Sequence, residues 1–242
     1  MRKNILITGI PKSGKSSLLH EVLSTVPQKV GLLTRELKSD GSRVGFQIES
    51  SSGEKSILAH ANLESPYKVS KYFVNVENLR SVIQRMPIIQ QDDVIYIDEI
   101  GEMQLLSTEF KELINSFFNY TNSFVTTISC IFQDDFIEDI KRRDDIFLLQ
   151  VSHETFVQDK EFIIQLLRKI EKAKLYISEP ERFSKKGDFV YLKSDHATRR
   201  LRSIGGIWYC SCDFHKKKNI CSHTIAVEER YKPNLRHISI LT

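Results

Sequence analysis

The stretch GIPKSGKS, from Gly9 to Ser16, constrains the fold of this 242-residue chain more than any other. It fits the pattern G-x-x-x-x-G-K-[ST] at Gly9, Gly14, Lys15 and Ser16. Chance supplies that pattern in about one chain in a hundred of this length, so its neighbours decide whether it counts. NILITG before it is β-rich, and KSSLLHEVLSTV after it spaces Leu18, Leu19, Val22 and Leu23 for a helix. Strand, glycine turn and helix start together make an anion cradle. The residues Gly9, Ile10, Pro11, Lys12, Ser13, Gly14, Lys15, Ser16 and Ser17 would wrap the β- and γ-phosphates of a nucleoside triphosphate. Backbone N–H groups and the positive end of the helix do the wrapping. Lys15 would reach the β/γ oxygens, and Ser16 would ligate Mg²⁺.

Such a cradle needs a metal-anchoring acid on a neighbouring strand. DVIYIDEIG is an almost continuous apolar run, as a central strand buried on both faces requires, and it ends in Asp98 and Glu99. Asp98 is the candidate Mg²⁺ anchor, and Glu99 is placed to polarise an attacking water. A kinase would turn that base toward an acceptor hydroxyl instead, so the paired acids favour hydrolysis while leaving transfer open. One more cation is expected near the transferring phosphoryl group. Arg143 is the named candidate, with Arg142 beside it and Arg35 after the second strand as others.

Strands alternate with helices over the first 150 residues, which argues an α/β fold with a mostly parallel sheet covered on both faces. VGLLTREL and RVGFQIES flank Asp40-Gly41 and read as an antiparallel hairpin. The rhythm changes after Lys174. SEPERFSKKGD is polar, with Pro180 and Gly187, and the segments beyond it are short and strand-rich. We therefore expect a first domain over 1–174, a linker over 175–186 and a small module over 187–242.

Hydrophobic content of 40% and charged content of 27% are those of soluble globular chains. No run approaches the ~20 apolar residues of a membrane span, and NILITG is too short for a signal-peptide core. A cytoplasmic protein is expected. The formal net charge of +4 is uneven, with +7 from Glu171 onward and −3 before it. A basic tail hints at a polyanionic partner.

Three of the four cysteines, Cys210, Cys212 and Cys221, fall within twelve residues, whereas Cys130 ends an apolar run and reads as an inert buried thiol. CSCDFHKKKNICSH offers Cys210, Cys212, Cys221 and His223 as a closed tetrahedral set for structural Zn²⁺, with His215 as a substitute ligand. A closed set leaves no open position for catalysis. A module this short also needs a metal to make up for its small core. Lys216, Lys217 and Lys218 lie between the ligand pairs, and Arg199, Arg200 and Arg202 precede them. Phosphate contacts by these residues would give salt-sensitive nucleic-acid binding, and the competing reading is a protein-docking finger whose lysines are solvated.

Two resemblances add to this reading. GIPKSGKS, GLLTRE, RVGFQI, KYFVNV, IDEIGEMQLLSTEF and DIKRRDDI, in that order, resemble the small nucleoside-triphosphatases first described from hyperthermophiles, the cancer-related nucleoside-triphosphatase family. Asp98 to Met103, with Ser107 and Phe110, is the most specific part. The resemblance implies slow Mg²⁺-dependent hydrolysis of ATP, GTP and other nucleotides on a P-loop α/β fold close to that of nucleotide kinases, with Gly14, Lys15, Ser16, Asp98 and Glu99 as functional residues. The strand after DEIG departs from that family, ending Ile128-Ser129-Cys130 where a Thr-Val-His-like sequence is usual. The C-x-C…C-x-H pattern resembles the SWIM zinc finger, a β-β-α module, over roughly 186–231. That resemblance implies binding to DNA or protein.

Overall fold

In the computed structural model, which describes residues 1–231, each apolar run becomes a buried strand or helix face. Residues 232–242, the end of the expected 187–242 module with its Lys232 and Arg236, lie outside the described residues.

The first strand, β1 (Asn4–Thr8), leads to helix α1 (Lys15–Ser24). Strands β2 (Lys29–Ser39) and β3 (Ser42–Ser50) form the expected hairpin, turning at Asp40-Gly41 with both residues in the left-handed region. Next come β4 (Lys55–His60), β5 (Lys68–Val69), β6 (Tyr72–Val74), α2 (Val76–Gln84) and β7 (Val94–Ile100). The alternation continues through α3 (Thr108–Asn119), β8 (Phe124–Ile128), α4 (Asp135–Lys141) and β9 (Ile146–Gln150) to the long helix α5 (Phe156–Ser178).

These nine strands form one sheet in the order β5-β6-β4-β3-β2-β7-β8-β1-β9. The five from β2 to β9 are parallel, and the wing beyond β2 is antiparallel. Alternation along β1 divides the core into two layers. Ile5 and Ile7 face α1 and α5, while Leu6 packs in the layer that holds α3. The phosphate loop leaves the carboxyl end of β1, and β8 separates β1 from β7. A ligand crevice outside the carboxyl ends of the strands is what such a sheet provides.

The segment read as a linker, 175–186, carries structure throughout. α5 runs on to Ser178 because Tyr176 is buried, a 3-10 turn covers Pro180–Arg182, and β10 (Phe183–Lys186) begins a second sheet. Its other strands are β11 (Phe189–Lys193), β12 (Thr198–Ile204) and β13 (Ile207–Cys210), in an antiparallel meander. Two helices come after them, α6 (Asp213–Lys218) and α7 (Ser222–Tyr231). The expected β-β-α unit is present as β12, β13 and α7, enlarged by β10, β11 and α6.

This second unit does not have a core of its own. Val190, Leu192, Leu201, Ile225 and Val227 join Leu166, Ile170, Ala173 and Tyr176 of α5 in one buried cluster. Fully burying each such side chain stabilises by about 1.5–3 kcal/mol, which explains why α5 continues past Lys174 to the start of the polar SEPER segment. The start of the chain is fastened to the same place, with Arg2 paired to Glu228 at 2.7 Å and the Met1 amino group to Glu229. Among the described residues, no helix is long and apolar enough to cross a membrane.

Candidate active site and metal centre

No side chain caps α1, so its first-turn N–H groups remain for an anion. Gly14 stands at the N-cap with φ 92°, a conformation that favours glycine. A Cβ there would also come within 3.2 Å of the Phe156 ring at the start of α5. Ile10, Pro11 and Lys12 form the exposed rim of the loop, Ser13 is buried beneath it, and Ser16 and Ser17 are open to the crevice. The Lys15 ammonium folds back to donate to the carbonyls of Gly9 (2.9 Å) and Ile10 (3.1 Å).

Asp98 lies near the end of β7, 1% exposed. Its Oδ1 accepts from the Ser16 hydroxyl at 3.0 Å and the Thr127 hydroxyl at 2.6 Å. Its Oδ2 is buried without a hydrogen-bond partner, 3.7 Å from His20 Nε2. Burial pushes the Asp98 carboxyl above its ordinary range. Glu99 beside it is also raised, by burial first and the Asp98 charge second. An orphaned carboxylate oxygen and a hydroxyl on the same group form an oxygen-only donor set, which fits Mg²⁺. Gly101 keeps this corner open, since a Cβ there would meet the Glu99 carboxylate at 3.2 Å. The rest of the DEIG-x-M stretch is structural. Ser107 caps α3 by accepting from the Phe110 N–H, and Phe110 is fully buried.

These groups line a cavity of about 590 Å³, within the range of ligand sites. Its far wall is Thr34, Glu36, Arg43 and Phe46 of the β2–β3 hairpin, and its rim includes Cys130 and His153. Sequence reading missed these residues and Thr127. The signal for Thr127 was available, because a threonine pair inside the fully buried FVTTI strand must find acceptors. Thr126 donates to the Ile97 carbonyl and Thr127 to Asp98.

Three expectations need correction. Arg143 is remote from the phosphate loop. It lies after α4, toward the amino end of β1, where Asp145 clamps its guanidinium through two 2.8 Å bonds and Phe118 packs beneath it at 4.2 Å. Arg142 is exposed and pairs with Asp139, and Arg35 alternates away from the Thr34–Glu36 face to pair with Glu49 at 2.7 Å. Arg43 is the arginine that reaches the cavity, held by Glu36 (2.7 Å) and the Tyr72 hydroxyl (3.1 Å). Cys130 is exposed rather than buried, and its thiol donates to the Gly9 carbonyl at 2.9 Å. β8 stops at Ile128, which turns the Ser129-Cys130 end into the crevice.

The second centre gathers Cys210, Cys212, Cys221 and His223, all buried, with donor atoms within 4.8 Å of one another. Alternation would separate Cys210 from Cys212 on a strand. Here β13 ends at Cys210 and Cys212 stands at the N-cap position of α6, so the break brings both thiols to one side. Cys221 and His223 sit at the opening of α7, where the Thr224 N–H donates to the Cys221 sulfur. Hydrogen bonds from Cys210 and Cys221 hold the Cys212 thiol far below the ordinary range, and the same contacts push Cys210 up. Three thiols and an imidazole in this closed arrangement fit structural Zn²⁺. His215 is buried on α6 against the edge of Tyr209 and lies outside the set. Lys216, Lys217 and Lys218 stand on α6 rather than in a loop, and Lys218 turns toward Phe162 of α5.

The NTPase family model matches residues 4–168, from β1 into α5. The chain belongs to this family. Nucleoside-triphosphatase THEP1 of Thermotoga sp. (strain RQ2) is 39% identical over 150 residues, covering 61% of this chain and 86% of the relative. The protein of that name from Methanothermobacter thermautotrophicus is 35% identical over 159 residues, 62% of this chain and 87% of the relative. Among solved structures, THEP1 from Aquifex aeolicus superposes with a TM-score of 0.60 at 28% identity, over 68% of this chain and 98% of that one. A human cancer-related nucleoside triphosphatase does so at 0.58 and 25% identity, over 69% and 97%. The SWIM zinc finger model matches residues 200–232, which contain all four donors of the second centre. The NTPase relatives account for the nine-stranded sheet and its helices, and the zinc unit lies beyond them.

Proposed function

We propose that the chain is a Mg²⁺-dependent nucleoside-triphosphatase, hydrolysing ATP or GTP to the nucleoside diphosphate and phosphate, with its zinc unit serving recognition of a second partner. The observation that carries this is the Ser16–Asp98 hydrogen bond, which ties the phosphate loop to the acidic end of β7 inside one cavity. In this reading Lys15 leaves the Gly9 and Ile10 carbonyls to meet the β/γ oxygens. Glu99 accepts the proton of the attacking water as its oxygen bonds to the γ-phosphorus and the bond to the β-phosphate oxygen breaks. Bound at Ser16 and Asp98, Mg²⁺ would neutralise charge on the phosphates. Glu99 stands in a buried corner that raises its carboxyl, which suits a base working near neutral pH.

Residues 1–174 carry this chemistry, and the zinc unit, from β10 onward, carries recognition of nucleic acid or protein. Cysteines gathered as metal ligands rather than as a disulfide framework suit a reducing compartment, and on that ground we assign the chain to the cytoplasm. Phosphate release from ATP and GTP tests the assignment. Lys15→Ala should abolish release by losing nucleotide. Glu99→Gln should abolish it while nucleotide still binds, and full activity in Glu99→Gln would remove the base from the mechanism.

A further inference from the structure

The four strands of the zinc unit, β10 to β13, carry six lysines and arginines and no acid. Their register sorts these residues onto two faces. Val190, Leu192, Leu201 and Cys210 point inward and are buried in the cluster shared with α7. The other face is outward, and at one side Tyr209 packs against His215 of α6. Lys186, Lys193, Arg200, Arg202 and Tyr209 are exposed there, while Phe189 and Tyr191 are half-buried. Arg199 belongs to the inner face, so the triad of arginines suggested by the sequence is divided between the two.

One row crosses the whole outward face. Lys186 is registered with Phe189, Phe189 with Arg202, and Arg202 with Tyr209. Cation and aromatic alternate over four adjacent strands. Neighbouring strands lie about 4.8 Å apart, so Phe189 and Tyr209 stand about 10 Å from each other with Arg202 between them. In the next row Arg200 is registered with Tyr191. Both arginines lie over the Phe189 ring, at 4.8 Å for Arg200 and 5.8 Å for Arg202.

We infer that this sheet face binds single-stranded nucleic acid, with unpaired bases stacked on Tyr209 and Phe189 and phosphates held by Arg200, Arg202, Lys186 and Lys193. Charge complementarity selects a polyanion, because strands that carry cations and no carboxylate leave an ordinary protein surface short of counter-charges for its own lysines and arginines, with Asp188 of the β10–β11 turn the acid beside the row. The aromatic rings select bases that are free to stack, which a duplex withholds. Phosphates and stackable bases are common to RNA and DNA, and stacking and phosphate contacts do not read base edges, so the binding is sequence-tolerant. The inference rests on the zinc unit being a recognition module and adds the surface and the ligand class.

The test is fluorescence anisotropy on the full zinc-loaded chain, with labelled oligo-U and oligo-dT of about twenty nucleotides, long enough to span a site of this kind, and a hairpin duplex of equal length. Single strands should bind at least tenfold tighter than the duplex. Tyr209→Ala should weaken them about 5- to 100-fold, with Tyr209→Phe restoring most of the loss. Arg200→Ala with Arg202→Ala should lower the slope of log affinity against log salt by about 1.4, the loss of two phosphate contacts. The α6 pair Lys216→Ala with Lys217→Ala should leave affinity near that of the parent. Phosphate release equal to the parent's shows that each variant is folded. Equal affinity for single strand and duplex overturns the inference, as does binding lost only in the α6 variant, although the module would remain a nucleic-acid binder. No binding of any oligonucleotide at low salt, with phosphate release intact, overturns the nucleic-acid partner in favour of a protein and leaves the hydrolase assignment standing.

Discussion

The phenol ring of Tyr176 lies against the imidazole of the zinc-centre residue His223, with centroids 5.7 Å apart and planes 12° from parallel. Tyr176 ends the buried stripe of α5, the helix that begins at Phe156 over the phosphate loop. One helix therefore spans from the nucleotide crevice to the metal centre, and the cluster around it belongs to both units. Stripping zinc with a chelator, or Cys221→Ser, should lower the thermal midpoint of the whole chain in a single calorimetric transition. Tyr176→Ala should cost about 3–5 kcal/mol, or roughly 6–20 °C for a chain of this size. A second transition that keeps its midpoint when zinc leaves would show that the units are independent.

The two arginines at issue should separate cleanly in kinetics. Arg43 is held over the Phe46 ring at 5.1 Å, facing the phosphate loop across the cavity. Arg43→Ala should cut phosphate release roughly tenfold or more, since a cation near the transferring group stabilises its charge. Arg143→Ala should leave the rate within about twofold and lower stability instead, through the lost Asp145 pair and Phe118 contact. Rates measured at saturating nucleotide decide between them, and a rate loss confined to Arg143→Ala would restore the sequence-based expectation.

That exchange of arginines shows where sequence legibility stops. The phosphate loop, Asp98 and Glu99 were legible because a strand, a glycine turn and a helix start lie together in the chain. The zinc donors were legible for the same reason, since four ligands fall within fourteen residues. Thr127, Arg43 and Phe46 come from elements far away in the chain, and only the strand order brings them to the loop. The continuation of α5 past Lys174 was hidden because polar SEPER looks like a connector, while the buried partners of Tyr176 lie beyond it.

Cys130 makes the crevice open to a chemical probe. It is the exposed cysteine, 2.9 Å from the Gly9 carbonyl, whereas the other three are buried together. Alkylation by N-ethylmaleimide under zinc-replete conditions should modify Cys130 first and slow phosphate release at least fivefold, because the adduct would crowd the phosphate loop. Saturating ATP should protect it. Cys130→Ala should keep its activity and become indifferent to the reagent, and inhibition that persists in this variant would place the sensitive thiol elsewhere.

A buried lysine gives the chain a pH signature away from either site. Lys3 is 8% exposed, and its ammonium donates to Asn4 Oδ1 at 3.3 Å and the Phe118 carbonyl at 3.4 Å. Burial lowers it from 10.5 to about 8, with the charges of Lys174 and Arg143 acting the same way and Asp145 partly opposing. Below about pH 8 both folded and unfolded chains carry this proton, and the folded chain bears the full cost of burying it. Between about 8 and 10.5 the unfolded chain keeps the proton and the folded chain releases it, so this contribution to stability rises with pH. A shift of this size corresponds to roughly 3 kcal/mol. Lys3→Met should therefore be more stable than the parent at pH 7, with the gap narrowing by roughly 2–3 kcal/mol as pH approaches 10.5. Denaturant unfolding of the two proteins at about pH 7, 8.5 and 10 measures that difference, in which titrations common to both cancel. A gap that stays constant over this range would mean that Lys3 keeps its proton in the folded chain.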